Sequence, residues 1–200
     1  MKTPKHVKEI KHRKIEPEEY AGKRPDERGR HFENVLEEHG HYVNRSAGVD
    51  LVALDTEVKT KDINSNSPWS IAAMTTDDVI HTSYKDSPVY EKMQRHLQQQ
   101  HDKYGNTYGS KVYDFSHKQT QNKIEQSYEA CRRELTERYI NGTASGWNNT
   151  KTHGIGCFQR EKLEGQWREQ WRFRISVNGM KNLISVADTR RQFDKFFDEE

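Results

Sequence analysis

Asp50, Glu57 and Lys59 are the residues whose types and spacing could do chemistry together. Two carboxylates supply hard oxygen ligands for Mg²⁺, with waters completing the shell. Such an ion acidifies a bound water and stabilises charge building on a phosphate. A lysine beside it can position or deprotonate that water, or neutralise a pentavalent transition state. The set therefore suits phosphodiester hydrolysis. It equally suits an ordinary hairpin with a solvated face, because charged side chains are mostly exposed.

Which reading holds depends on the elements that carry the three. Val49 to Leu54 is rich in branched aliphatics and reads as a buried strand; Glu57-Val58-Lys59-Thr60 reads as a second. Asp55 and Thr56 leave room for a tight turn. On one straight strand Asp50 and Glu57 would stand roughly 23 Å apart, on opposite faces. A loop at Leu54-Asp55 pairs Val52 with Glu57 and Asp50 with Lys59. A loop at Asp55-Thr56 changes the partners but not the parity. Either register projects all three residues from one side, and in the first the Asp50–Glu57 diagonal is roughly 7–8 Å. A slip by one residue would move every side chain to the other face.

Upstream, Asp26 to Gly40 reads as a helix, with Asp26 as N-cap after Pro25 and Gly40 just past its end. Phe32, Val35 and Leu36 form its apolar stripe. Glu33 lies about 100° round from Phe32, at the border of that stripe, where it can look toward the hairpin. His41 to Gly48 reads as a first strand ending in a small-residue turn.

The run Arg30-x-Phe-Glu-x-x-Leu-Glu-x-x-Gly40, then Val43-x-Arg-Ser-Ala-Gly-x-Asp-Leu-Val-Ala-Leu54, then Glu57-Val-Lys59 resembles the opening of the restriction-endonuclease-like, or PD-(D/E)xK, nucleases. Its nearest likeness is to archaeal-type Holliday junction resolvases. The likeness covers residues 28 to 61. Val49 stands where a proline is often found, and the Asp-to-Glu spacing is shorter than usual. The resemblance implies an accessory glutamate at Glu33, metal acids at Asp50 and Glu57, and a catalytic lysine at Lys59. It implies an α/β fold with a mixed central β-sheet flanked by helices, and Mg²⁺ as cofactor with Mn²⁺ as a substitute.

The composition bounds the rest. The chain has 200 residues, 31% hydrophobic and 32% charged, with 33 basic and 31 acidic side chains. The near balance means that any DNA-binding surface must come from uneven distribution of charge. Residues 1–24 read as a basic arm that could lie along phosphates, or as a solvated terminus. Residues 25–200 read as a single endonuclease-like domain. Cys131 and Cys157 are the only cysteines, which suits a reducing cytosol. No apolar run is long enough to span a membrane, and no hydrophobic leader core is visible.

Residues 62–68 form a polar loop leaving the Glu-x-Lys strand, where Asn64, Ser65, Asn66 and Ser67, with Thr60 and Lys61, could touch DNA. Asp77 to Tyr84 reads as a strand, Ser87 to Asp102 as a helix, Lys111 to Phe115 as a strand and Lys118 to Tyr139 as the longest helix. Residues 141–156 read as a long polar loop, in which His153-x-x-x-Cys157 is a weak zinc spacing. From Gln166 to Val177, Trp167, Trp171, Phe173 and Ile175 share one parity and Arg168, Arg172 and Arg174 the other. That strand offers either a guanidinium ridge for DNA or arginines paired with acids elsewhere. A short helix closes at Lys195-Phe-Phe.

The expectation is a Mg²⁺-dependent DNA endonuclease acting as a homodimer, with the part beyond Lys61 suiting a sequence-specific, type II restriction-type enzyme. The alternatives are a Holliday junction resolvase or other structure-specific nuclease, and a DNA-binding protein without catalysis.

Overall fold

The computed structural model describes residues 14–46, 48–144, 146–163 and 165–197. Helices and strands are mixed, and the chain divides into two compact units where one domain over 25–200 is expected. The first unit comprises residues up to Asn66 together with Gln94–Asp114; the second comprises Ser67–Met93 and Phe115 onward.

In the first unit, the short helix α1 (Pro17–Tyr20) precedes α2 (Pro25–Glu38). Its sheet is β1 (Glu57–Asp62), β3 (Arg95–His101) and β4 (Thr107–Asp114), in the order β1-β3-β4. β1 and β3 run parallel, with Glu57 opposite His96 and Lys59 opposite Gln98. A parallel pair needs a long crossover; here residues 63–94 supply it. One face of this sheet meets α2 in a core of Ile15, Tyr20, Phe32, Val35, Leu36, Val43, Leu51, Val58 and Leu97. The expected helix thus forms, with Phe32, Val35 and Leu36 fully buried. Its N-cap is Arg24 rather than Asp26, with Pro25 in the first turn, and Gly40 follows its end at φ 84°.

Ile15 and Tyr20 correct the basic-arm boundary. Both are buried in this core, so residues from Ile15 on belong to the unit; the arm expected over residues 1–13 lies outside the described residues.

In the second unit, β2 (Trp69–Thr75), β5 (Gly156–Leu163) and β6 (Gln166–Ile175) form an antiparallel sheet in the order β2-β6-β5. The expected central sheet is therefore two separate three-stranded sheets. Helix α5 (Lys118–Ile140) packs on β5, and α6 (Val177–Phe197) follows β6. The centre is aromatic: Tyr128 stands 5.4 Å from Phe158 and 5.7 Å from Phe173, ring centre to ring centre. Trp171, Phe173 and Ile175 of β6 are buried as their parity requires; the Trp167 side chain and those of Lys195, Phe196 and Phe197 lie outside the described ones. Cys131 is a buried free thiol, and Cys157 is also free.

Two stretches between β2 and β4 differ from expectation, and the short closing helix expected is the 21-residue α6. The stretch after β2 is a helix, α3 (Thr76–His81), because Thr75 and Asp78 close a capping box: Thr75 Oγ1 accepts from the Asp78 amide at 3.1 Å, and Asp78 Oδ2 accepts from the Thr75 amide at 3.1 Å. The helix begun at Pro88 stops at Lys92 as α4, and residues 95–101 become β3. Among the described residues no helix is long and apolar enough to cross a membrane.

Candidate active site

The Asp50-to-Lys59 segment turns back on itself, but not as two full strands. Leu51 and Thr56 make an isolated antiparallel bridge, with their amides and carbonyls joined at 2.9 and 3.2 Å. Val52–Leu54 form a 3₁₀ turn, and Asp55 closes it in the left-handed region at φ 49°. Val49–Leu54 is thus no strand, nor is His41–Gly48; Val52 is 56% exposed, so the aliphatic run does not mark burial throughout. The turn holds residues 52–55 between the bridged pair, where two were expected. An even loop length preserves parity, and the bridge puts Asp50 next in register to Glu57.

The three residues reach different partners there. Asp50 Oδ2 accepts a 2.8 Å hydrogen bond from the Val58 amide, which fixes the carboxylate against the start of β1. Glu57 is 1% exposed, and its Oε1 lies 2.5 Å from Lys59 Nζ. These two side chains share one face of β1, while Val58 between them enters the core.

Glu33 comes from α2. It is half-buried, and its carboxyl is pushed above the usual carboxylate range by burial and by the Asp50 charge; Arg45, Lys59 and Arg30 pull the other way. Glu33 and Asp50 line one pocket of about 470 Å³ with Arg30, Asn44, Arg45 and Ser46. Glu57 and Lys59 are not among its lining residues.

The donor set fits a hard cation in its chemistry: Asp50 and Glu57 are carboxylates, and Glu33 and Asp50 are close enough to raise the cost of a second negative charge. No three His, Cys, Asp or Glu side chains among the described residues stand together as a ready metal cluster. Such a site would draw on Asp50 from just before the turn and Glu57 from β1.

The expected DNA-contacting residues divide. Lys61 is half-buried, and burial lowers its pKa. Asn64 and Asn66 are exposed in the loop after β1, where the Asn64 amide donates to Asp62 Oδ1 at 2.9 Å. Arg168 is exposed on β6. Arg172 is not part of an open ridge, because it is paired with Glu161 and donates to Ser70 Oγ at 3.2 Å. Arg174 is half-buried, and its pKa is lowered by burial and by the neighbouring Arg172. His153 does not pair with Cys157 as a zinc spacing would have it; its Nε2 lies 2.7 Å from Glu134 Oε2.

Arg95 was missed altogether. Its Nη1 donates to the Leu54 carbonyl at 3.0 Å, which holds the turn from β3. Sequence spacing carries no signal for a contact made by β3, across residues 63–94. Arg30, Asn44, Arg45 and Ser46 were within the family-like run but carried no assigned role.

Compared with known proteins, the chain matches no family model and no curated protein.

Proposed function

We propose that this protein is a Mg²⁺-dependent endodeoxyribonuclease with a restriction-endonuclease-like core in its first unit. One observation supports the reading above the rest: Glu33 and Asp50 share a pocket, and the Asp50 carboxylate is pinned to the strand that carries the Glu57–Lys59 pair. An ordinary solvated hairpin gives no reason for Glu57 to be 1% exposed.

In this reading Asp50 and Glu57 would hold Mg²⁺, or Mn²⁺ in its place. The bound ion would supply a Lewis acid for the phosphate and an acidified water. Lys59 orients the attacking water or donates to a phosphate oxygen as charge builds there. The Lys59 ammonium sits against Glu57, so it stays close to the reacting centre and is held by charge. Glu33 would take up a proton or hold a water by hydrogen bond, and its raised pKa suits either use. The second unit, with exposed Arg168, would serve target recognition, in keeping with a sequence-specific enzyme acting as a homodimer in the cytosol.

The test is cleavage. Purified protein with Mg²⁺ or Mn²⁺ should cut duplex plasmid DNA, and Lys59→Ala should lose about a hundredfold or more in rate while still binding duplex. Four-way junction DNA run beside the plasmid separates a restriction-type enzyme from a resolvase. Binding to both without cutting either leaves a non-catalytic DNA-binding protein, and the proposal fails.

A further inference from the structure

The pocket that holds Glu33 and Asp50 has a second wall. Arg30 and Arg45 face it together with Asn44 and Ser46. Arg30 lies three residues before Glu33 on α2, so the two stand on the same side of the helix. Arg30 is exposed. Arg45 is anchored: one of its nitrogens, Nη2, donates to Asn34 Oδ1 and to Glu37 Oε2, both at 2.8 Å. That leaves its other N–H groups directed by a fixed fork.

The loop carrying Arg45 is joined to the acidic wall by backbone. The Asn44 amide donates to the Asp50 carbonyl at 2.7 Å, and Asn44 Oδ1 accepts from the Ser46 amide at 3.0 Å. The same short stretch therefore sets the distance between an acidic wall and a basic one. An acidic site alone would repel DNA, whose duplex carries one negative charge per roughly 1.7 Å of its axis. Two guanidinium groups beside the carboxylates offset that repulsion where the strand must lie. Guanidinium forks match phosphate oxygens in pairs.

We propose that Arg30 and Arg45, with the Ser46 hydroxyl, form the subsite for a backbone phosphate next to the one cleaved. It rests on the nuclease reading above and adds to it the side on which the strand is gripped. The contact positions the strand and reads no base.

Binding of a short fluorescein-labelled DNA duplex, with Ca²⁺ in place of Mg²⁺, should be followed across a salt series. Arg30→Ala and Arg45→Ala should each weaken binding severalfold and lower the magnitude of the slope of log affinity against log salt by about 0.9. Arg24→Ala removes the same charge from outside the pocket and should leave the slope unchanged. Arg45→Lys keeps the charge and should restore most of the slope. Arg30 has an exposed side chain, so Arg30→Ala should melt with the wild type, which separates a lost contact from a lost fold. A wild-type protein that cuts DNA while both alanine variants keep its slope overturns this subsite alone. So does an equal fall in slope for Arg24→Ala. A wild-type protein that neither binds nor cuts duplex removes the nuclease reading and the subsite together.

Discussion

The guanidinium of Arg95 holds the carbonyl oxygen of Leu54 at 3.0 Å. That oxygen also accepts from Thr56 Oγ1 at 2.8 Å, so the turn between Asp50 and Glu57 is gripped from both β3 and its own far side. Arg95 is 7% exposed, and a hydrogen bond from a charged donor of this kind contributes about 2 kcal/mol. Arg95→Ala should lower the urea midpoint by a corresponding amount. It should also slow DNA cleavage, because Asp50 is set by the same turn. An unchanged midpoint would show that the turn holds without it.

This contact marks where the sequence stops being legible. The α2 stripe, the Glu57–Thr60 strand, the alternation of β6 and the three-and-four spacing of Ile124, Tyr128, Cys131 and Leu135 on α5 all follow from local periodicity, although Tyr139, the next member of that α5 row, is exposed. The turn parity survives too, since four loop residues and two leave the same faces paired. What was illegible depends on distant partners. β3 contains one aliphatic residue, Leu97, and its glutamines make no strand signal; it is a strand because β1 and β4 flank it. Tyr90, Met93 and Leu97 mimic a helical stripe there. β5 hides in the same way, with Phe158 its only aromatic among Gln159, Arg160, Glu161 and Lys162. Within Asp77 to Tyr84 the β-branched pair Val79-Ile80 favours a strand, but the Thr75–Asp78 capping box starts a helix and prevails.

Lys59 and Glu57 separate stability from catalysis. Lys59→Met leaves a buried carboxylate without its ammonium, which should cost about 1–3 kcal/mol. The double variant Glu57→Gln, Lys59→Met removes both charges and should recover most of that loss. Neither variant should cut DNA. Thermal melts of the two variants decide it: if the double variant is no more stable than the single one, the pair does not carry the burial.

Glu33 gives a pH dependence with a definite sign. Its folded pKa lies above the unfolded value of 4.5, through burial and the Asp50 charge. A raised acid favours the fold while protonated, and that contribution is lost as pH rises through the folded pKa. Glu33→Gln should therefore melt higher than wild type at neutral pH, with the difference shrinking toward about pH 4. The same variant should cleave more slowly, because the carboxylate is the form that acts. A melting temperature that falls at neutral pH would contradict this.

Gly105 adopts φ +92°, and a Cβ built there would lie 2.1 Å from the Pro17 carbonyl oxygen. The residue thus lets the β3–β4 hairpin sit against α1, whose Tyr20 is wholly buried. Gly105→Ala combines backbone strain with a clash against main chain, and should destabilise by about 2 kcal/mol or more. The check is a urea melt of Gly105→Ala beside Gly109→Ala. The second site also has a positive φ, +85°, but nothing within 4 Å of a new Cβ, so it should lose less. Equal losses would leave the α1 contact without energetic weight.

His101 is buried inside the first unit. Its Nδ1 lies 3.2 Å from Arg28 Nη1 and 3.2 Å from the Asp102 carbonyl. Arginine only donates and a carbonyl only accepts, so Nδ1 serves one of the two at a time: it accepts from Arg28 when it carries no hydrogen and donates to the Asp102 carbonyl when it does. Burial comes first in lowering the His101 pKa; the hydrogen bond to the Asp102 carbonyl pulls the other way, the Arg28 charge adds to the lowering, and the Asp62 and Asp102 charges oppose it. The neutral ring is therefore the folded form. Its contribution is present above the unfolded pKa of 6.5 and is lost as pH falls through the lower folded value. Urea melts of wild type and His101→Gln between about pH 7.5 and pH 5 read this directly. The wild type should lose more stability over that range, because glutamine cannot take up the proton. Parallel losses in the two proteins would place the acid sensitivity elsewhere.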